Sequence, residues 1–311
     1  RLSDFDYMKD LGMNMYRFQI SWSRVVKDGD GEFNQEGIAY YRRFIDDLID
    51  LSASLKLAGE VLAGVFLIVF ADIRITNLFG LFGIHELSLV GSYVISFISL
   101  VAITNALNLI DGVDGLASGL GMLYSLVFAL YFQAAGDVHM AVLAYALIGS
   151  LAVFFLYNVF GGTRRKIFMG DSGSLLLGFM MSWFVFHFMQ LNATPEVLPS
   201  ILVVPAAPAV AFCILFVPLF DTMRVMITRI KKKTSPFKPD KNHIHHLLLR
   251  TGLKHRQVTF VALVVSLLFI VLAFIGRSWH NEILLFVAFL LSTILMFILW
   301  TVLAKKSQKT N

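Results

Sequence analysis

The chain has 311 residues, of which 57% are hydrophobic and only 15% charged, with 29 Phe and a net charge of +5. So apolar a composition excludes an ordinary soluble domain and points to a polytopic membrane protein. The basic residues cluster in short segments beside apolar runs, as the positive-inside rule expects, which argues against nucleic-acid binding; the lone Cys213 excludes an internal disulfide framework.

The chain opens on Arg1 and on polar, amphipathic sequence without the apolar core of a secretory signal, as expected of a fragment or of a chain whose start is missing. Within residues 1 to 45, MYRFQISWSRV at 15 to 25 alternates like a strand, KDGDGE is a turn, and NQEGIAYYRRFIDDLID has helical spacing. This reads as one short soluble β/α unit. The composition then changes abruptly, which sets a boundary between residues 45 and 55.

Apolar runs follow at about 55–70, 87–104, 116–133, 139–158, 174–191, 200–222, 258–276 and 281–303. The expected fold is therefore all-α, with about eight transmembrane helices behind the β/α fragment. Lys56 and Glu60 fall near the start of the first and shortest run. The sixth run carries Pro205, Pro208 and Pro218, which a membrane helix tolerates as a kink for packing or as a gating hinge. Lys and Arg gather in GGTRRK at 161–166, in the stretch from Arg224 to Arg256, and in the tail AKKSQKTN. That side, with both termini, is expected to be cytoplasmic.

The polar words lie at the ends of these runs. NALNLIDGVDGLASG, at 105–119, sets Asn108, Asp111 and Asp114 among glycines, a pattern suited to a cation and an anionic substrate; helix capping would be the plainer role for Asn105 and Asp111. FMGDSGS holds Asp171 between Gly170 and Gly173, which would keep a turn open. SPFKPDKNHIHHLLLR brings His243, His245 and His246 beside Lys241 and Arg250. Three imidazoles suggest zinc at first sight, but no cysteine or fourth protein ligand stands near them. Adjacent Asp46 and Asp47, with Asp50 and Lys56, precede the first run; alone they could be a solvated helix face. Asp221 before Arg224 reads either as a structural ion pair or as a group with a direct role.

DFDYMKDLGMNMYRFQISWSRV with GEFNQEGIAYYRRFIDDLI resembles the second β/α unit of β-glucosidase-type glycoside hydrolases. From about Asp46 onward the chain resembles the bacterial polyprenyl-phosphate N-acetylhexosamine-1-phosphate transferases. The word IDDLID suits both families, so a chimera crossing over at residues 45–50 is expected. The resemblance implies a multi-pass protein of the bacterial inner membrane. Its reaction would be Mg²⁺-dependent transfer of N-acetylglucosamine 1-phosphate from a UDP-sugar to undecaprenyl phosphate, with release of UMP and Mn²⁺ as a substitute metal. Asp46, Asp47 and Asp171 would be catalytic, the first aspartate positioning or deprotonating the lipid phosphate. Asn108 and Asp171 would bind the metal. Asp50, Lys56, Asp111, Asp114, Phe168, His243, His245 and His246 would bind substrate, with Asp114 and Phe168 near uracil and the histidines on the diphosphate and sugar. HIHH after PDKN points to the N-acetylglucosamine branch. The family has about eleven spans, so the first three are expected to be missing here. The rival expectation is an inactive membrane remnant, and with either reading a homodimer would cover the apolar face that the missing spans leave. Glycosidase chemistry would need a flanking pair of carboxylates that the chain does not show, and a transporter would show internal repeats.

Overall fold

The computed structural model describes residues 53–161, 166–233 and 243–310, the side chains of 53–56, 197 and 307–310 excepted. The β/α unit expected in residues 1–45, and Asp46, Asp47, Asp50 and the Lys56 side chain, therefore lie outside the described residues. Two compact units divide the chain, Arg1–Gly59 and Glu60–Asn311. Of the first, the described part is the start of helix α1 (Ala53–Gly64).

In the second unit, α1 ends in a π-helical turn, Val65–Phe70. A small antiparallel hairpin follows, β1 (Asn77–Leu81) and β2 (Ile84–Glu86). Then come α2 (Leu89–Ile110), α3 (Leu116–Ala134), α4 (Val138–Phe160) and α5 (Gly170–Ala193). Short 3₁₀ turns at Pro195–Val197 and Ser200–Leu202 lead to α6 (Ala207–Ile214) and α7 (Phe216–Lys231). The chain closes with α8 (Ile244–Arg250), α9 (His255–Ile275) and α10 (Asn281–Thr310). The all-α membrane architecture expected from composition is what the described residues form.

Six of these helices, α2, α3, α4, α5, α9 and α10, are long and apolar enough to cross a membrane. The other two expected spans differ. The first is only a short apolar helix, Leu57–Phe70, and the sixth is broken. The α6 and α7 axes meet at 86° around Leu215. Pro218 accounts for the break, because a proline ring clashes with the carbonyl four residues earlier, here Ile214, the last residue of α6. Pro208, by contrast, lies in the first turn of α6, where a missing N–H costs nothing.

Helix starts follow local chemistry. Ser88 caps α2 by accepting from the Gly91 amide at 3.2 Å, and Asp137 caps α4 by accepting from the Met140 amide at 3.1 Å. α2 packs along α5 and α3 along α4, while α9 lies against α3 and α6. Gly178 makes the α2–α5 crossing close. A Cβ there would stand 2.5 Å from Thr104 Cα and 3.0 Å from its carbonyl oxygen. The core is rich in aromatic rings: Phe128, Phe132, Phe184 and Phe188 interlock between α3 and α5, and Phe216 stacks on Phe269 at 3.8 Å.

The two ends of the bundle differ in chemistry. At one end, asparagines tie backbone to backbone. Asn281 accepts from the Ala209 amide at 3.2 Å and donates to the Phe79 carbonyl at 2.9 Å, and Asn192 accepts from the Val204 amide at 2.7 Å. Among the described residues, Asn108, Asp111, Asp114, Asp171 and the histidines His243, His245 and His246 gather at the other end.

Candidate active site

α2 delivers Asn108 to its last turn, and α5 brings Ser174 and Asp171 to its first turn directly opposite. Asn108 Nδ2 donates to Asp171 Oδ1 at 3.0 Å and to Ser174 Oγ at 2.8 Å. Asp111 is the C-cap residue of α2. Burial, and then the nearby Asp171 carboxylate, push its carboxyl up to about 6. FMGDSGS is a helix start rather than an open turn: Gly170 has φ +63°, but Gly173 is already inside α5, where a Cβ would strike Met169. Asn105 is no cap. It lies inside α2, donating to Glu60 Oε2 and to the Val101 carbonyl, both at 2.9 Å.

Gly115 turns the chain from α2 into α3 with φ +73°, and a Cβ there would collide with Val159 and Phe155. Beside it, Asp114 Oδ2 meets Lys166 Nζ at 2.6 Å and His255 Nδ1 at 3.2 Å, while Thr259 donates to the Asp114 carbonyl at 2.7 Å. Lys166 also lies over the exposed Phe168 ring, 5.4 Å from its centroid. Buried Asn158, at the end of α4, accepts from the Gly115 amide at 2.6 Å and donates to the Ile167 carbonyl at 2.7 Å. It thereby fastens the aspartate-glycine loop to the segment carrying Lys166 and Phe168.

The histidines come in from α8. His243 and His245 rings are nearly parallel with centroids 5.8 Å apart, and His245 and His246 lie 4.2 Å apart. His245 sits on the aspartate-glycine loop, so that a Cβ on Gly112 would meet its Nε2 at 2.7 Å. Burial, with His246 next, pulls the His245 imidazole down to about 4. Asp221, on α7, is buried; it pairs with Arg224 at 2.7 Å and with His243 Nδ1 at 3.0 Å. The ion pair read from the sequence is present, and His243 is its further member.

The described part of the site thus joins Asn108, Asp111, Asp171, Asp114, Phe168, His243, His245 and His246 at one end of the bundle. Lys166, Asn158, Ser174 and His255 also belong to the region, though the sequence did not single them out. An asparagine closing an apolar run is the one signal that could have raised Asn158; Lys166 was legible only as part of a basic run. Among the described residues, no group of three His, Cys, Asp or Glu side chains is placed to hold a metal ion. A metal held here would draw on Asp171, Asp111 and the Asn108 amide, completing its shell with phosphate and water. That is the donor set Mg²⁺ takes; the Asp171 carboxylate, which after burial is the second cause of the raised Asp111, is a charge a divalent cation would offset.

An apolar helical bundle with acids, amides and imidazoles gathered at one end has the architecture of a multi-pass membrane protein. Residues 38–189 match glycosyl transferase family 4, and residues 2–54 match glycosyl hydrolase family 1. The undecaprenyl-phosphate alpha-N-acetylglucosaminyl 1-phosphate transferase of Yersinia pestis is 31% identical over 263 residues, covering 82% of this chain and 69% of the relative. Its counterpart from Escherichia coli O157:H7 is 30% identical over 266 residues, with the same two coverages. A probable undecaprenyl-phosphate N-acetylglucosaminyl 1-phosphate transferase of Bacillus subtilis is 34% identical over 249 residues, covering 79% of this chain and 65% of the relative. The chain belongs to glycosyl transferase family 4 and is a transferase of that family.

Proposed function

We propose that this chain transfers N-acetylglucosamine 1-phosphate from UDP-N-acetylglucosamine to undecaprenyl phosphate, releasing UMP. The reaction runs on the cytoplasmic face of a bacterial inner membrane and serves cell-envelope polysaccharide synthesis. The observation that carries the reading is the meeting of Asn108 with Asp171 and Ser174 across the α2–α5 crossing, beside Asp111 and the histidines at the start of α8. A lipid phosphate oxygen attacks the β-phosphorus of the UDP-sugar, and the bond from that phosphorus to the UMP oxygen breaks. Such transfers depend on positioning and on charge neutralisation more than on covalent chemistry from the protein.

Asp171, Asp111 and the Asn108 amide would hold Mg²⁺, or Mn²⁺ in its place, which when bound neutralises charge on the diphosphate. Asp114 and Phe168 flank the uracil, with Lys166 fixing the aspartate. His243, His245 and His246 contact the diphosphate and sugar. Asp46 and Asp47 orient the lipid phosphate, and Asp50 and Lys56 support the substrate pocket. The basic segments of α7, α8 and the chain end support the cytoplasmic assignment for this side.

The two family matches overlap at residues 38–54, which supports reading the chain as a fusion joined at residues 45–50. Membranes containing the chain, incubated with labelled UDP-N-acetylglucosamine, undecaprenyl phosphate and Mg²⁺, should yield labelled lipid and UMP, and Asp171→Asn should yield neither. No product from inserted, folded chain would refute the activity and leave an inert fusion.

A further inference from the structure

Asp221 is used more completely than an ordinary ion-pair partner. It lies on α7 just past the break at Leu215, is 3% exposed, and makes four contacts. Oδ1 accepts from Arg224 Nη2 at 2.7 Å and from the Ile244 amide at 3.0 Å. Oδ2 accepts from the same amide at 3.1 Å and stands 3.0 Å from His243 Nδ1. A carboxylate held by a guanidinium and an amide has only lone pairs to offer, so the proton in the contact with His243 belongs to Nδ1. The other ring nitrogen, His243 Nε2, is enclosed and meets no hydrogen-bond partner among the described residues. Buried polar atoms are rarely left so, and one beside a substrate site calls for a partner such as a water, an ion or a bound ligand.

We propose that Asp221 is a positioning residue. By gripping Nδ1 and the Ile244 amide together, it fixes the ring of His243 and the start of α8, and so presents Nε2 to a polar group of the bound sugar diphosphate. The logic is that of a carboxylate orienting an imidazole through one nitrogen so that the other can act. The break in the α6–α7 pair is what makes the grip possible, because the turned helix brings Asp221 to the segment that carries the histidines. The proposal rests on the transferase reading for the identity of the ligand, but not for the grip itself.

Two measurements test it on the full chain in detergent micelles. In the first, proton and nitrogen resonances of ¹⁵N-histidine-labelled protein are recorded, with the His243 signal assigned by its loss in His243→Ala. The expected result is a slowly exchanging Nδ1–H proton on His243 that vanishes in Asp221→Asn. A wild-type His243 protonated on Nε2 alone, or a signal unchanged in Asp221→Asn, overturns the proposal. In the second, transfer to undecaprenyl phosphate is measured for Asp221→Asn, His243→Ala and the double variant. Each single change should lower kcat/KM for the UDP-sugar at least tenfold, and the double should lie within twofold of His243→Ala. Multiplying losses would mean that Asp221 acts independently of His243, and would overturn the proposal. Should wild-type chain make no product, the transferase reading fails, while the resonance of His243 still decides whether Asp221 holds its ring.

Discussion

Replacing Gly178 by alanine tests the α2–α5 crossing and the site together. The added Cβ would stand 2.5 Å from Thr104 Cα, and carbon atoms pack at about 3.5 to 4.0 Å, so the helices must part locally by roughly 1 Å or more. Thr104 lies one turn before Asn108 on α2, and Ser174 one turn before Gly178 on α5, so the displacement falls directly beneath the polar contacts. The Asn108–Ser174 and Asn108–Asp171 bonds, at 2.8 and 3.0 Å, would stretch to roughly 4 Å, beyond any hydrogen bond. Overpacking of this kind costs about 1 to 3 kcal/mol of stability, and a misplacement of about 1 Å can cost on the order of a hundredfold in rate. Gly149→Ala on α4 is the control, because its Cβ would meet nothing within 4 Å. Thermal unfolding in detergent and the lipid-transfer assay should show Gly178→Ala both less stable and about tenfold to a hundredfold slower, with Gly149→Ala unchanged or slightly more stable. A Gly178→Ala protein with wild-type melting and wild-type rate would refute the claim that this close approach sets the geometry of Asn108 and Asp171.

Other expectations follow from individual groups. The His245 imidazole is held near 4, below its ordinary 6.5, so the folded chain binds fewer protons than the unfolded one between those values. Stability should therefore fall as pH drops from about 6.5 to 4, by up to about 3 kcal/mol for this group, and a His245→Asn variant should show a flatter melting profile over that window. Asn158→Ala removes the links to the Gly115 amide and the Ile167 carbonyl; we expect a loss of about 2 kcal/mol in denaturant melts and weaker binding of the UDP-sugar. Removal of divalent ions with EDTA should abolish transfer and added Mg²⁺ restore it, while unchanged activity in EDTA would exclude the metal role of Asp171, Asp111 and Asn108.

Much of this architecture was legible in the sequence because apolar length is a physical requirement of a spanning helix. α2 to α5, α9 and α10 fall where the runs predicted them, and the acids and histidines lie at their ends. The break at Leu215 was harder to see, since a proline in an apolar run signals a kink without its angle. The geometry that turns Pro218 into an 86° bend depends on what receives α7, and Asp221 gripping Ile244 and His243 is a contact across 22 or 23 residues of sequence. Lys166 and Asn158 were hidden for the same reason. A lysine in a basic run and an amide at a helix end look like groups facing solvent until the fold sets them against Asp114 and Gly115. Conversely, FMGDSGS looked like a turn because glycines usually mark one, whereas α5 begins inside it.

The asparagines at the far end of the bundle carry a mechanical consequence. Asn281 and Asn192 clasp main-chain atoms, so that end is joined by groups no substrate needs to displace. Around Asp171 and Asp114, where Asn158 also clasps main chain, the links from Asn108 to Asp171 and from Lys166 to Asp114 run through side chains that a nucleotide and a lipid phosphate would have to engage. The bundle is thus sewn shut at one rim and buttoned at the other. Motion that admits substrate should pivot about the sewn rim, with amide exchange slow near Ala209 and faster near Gly112.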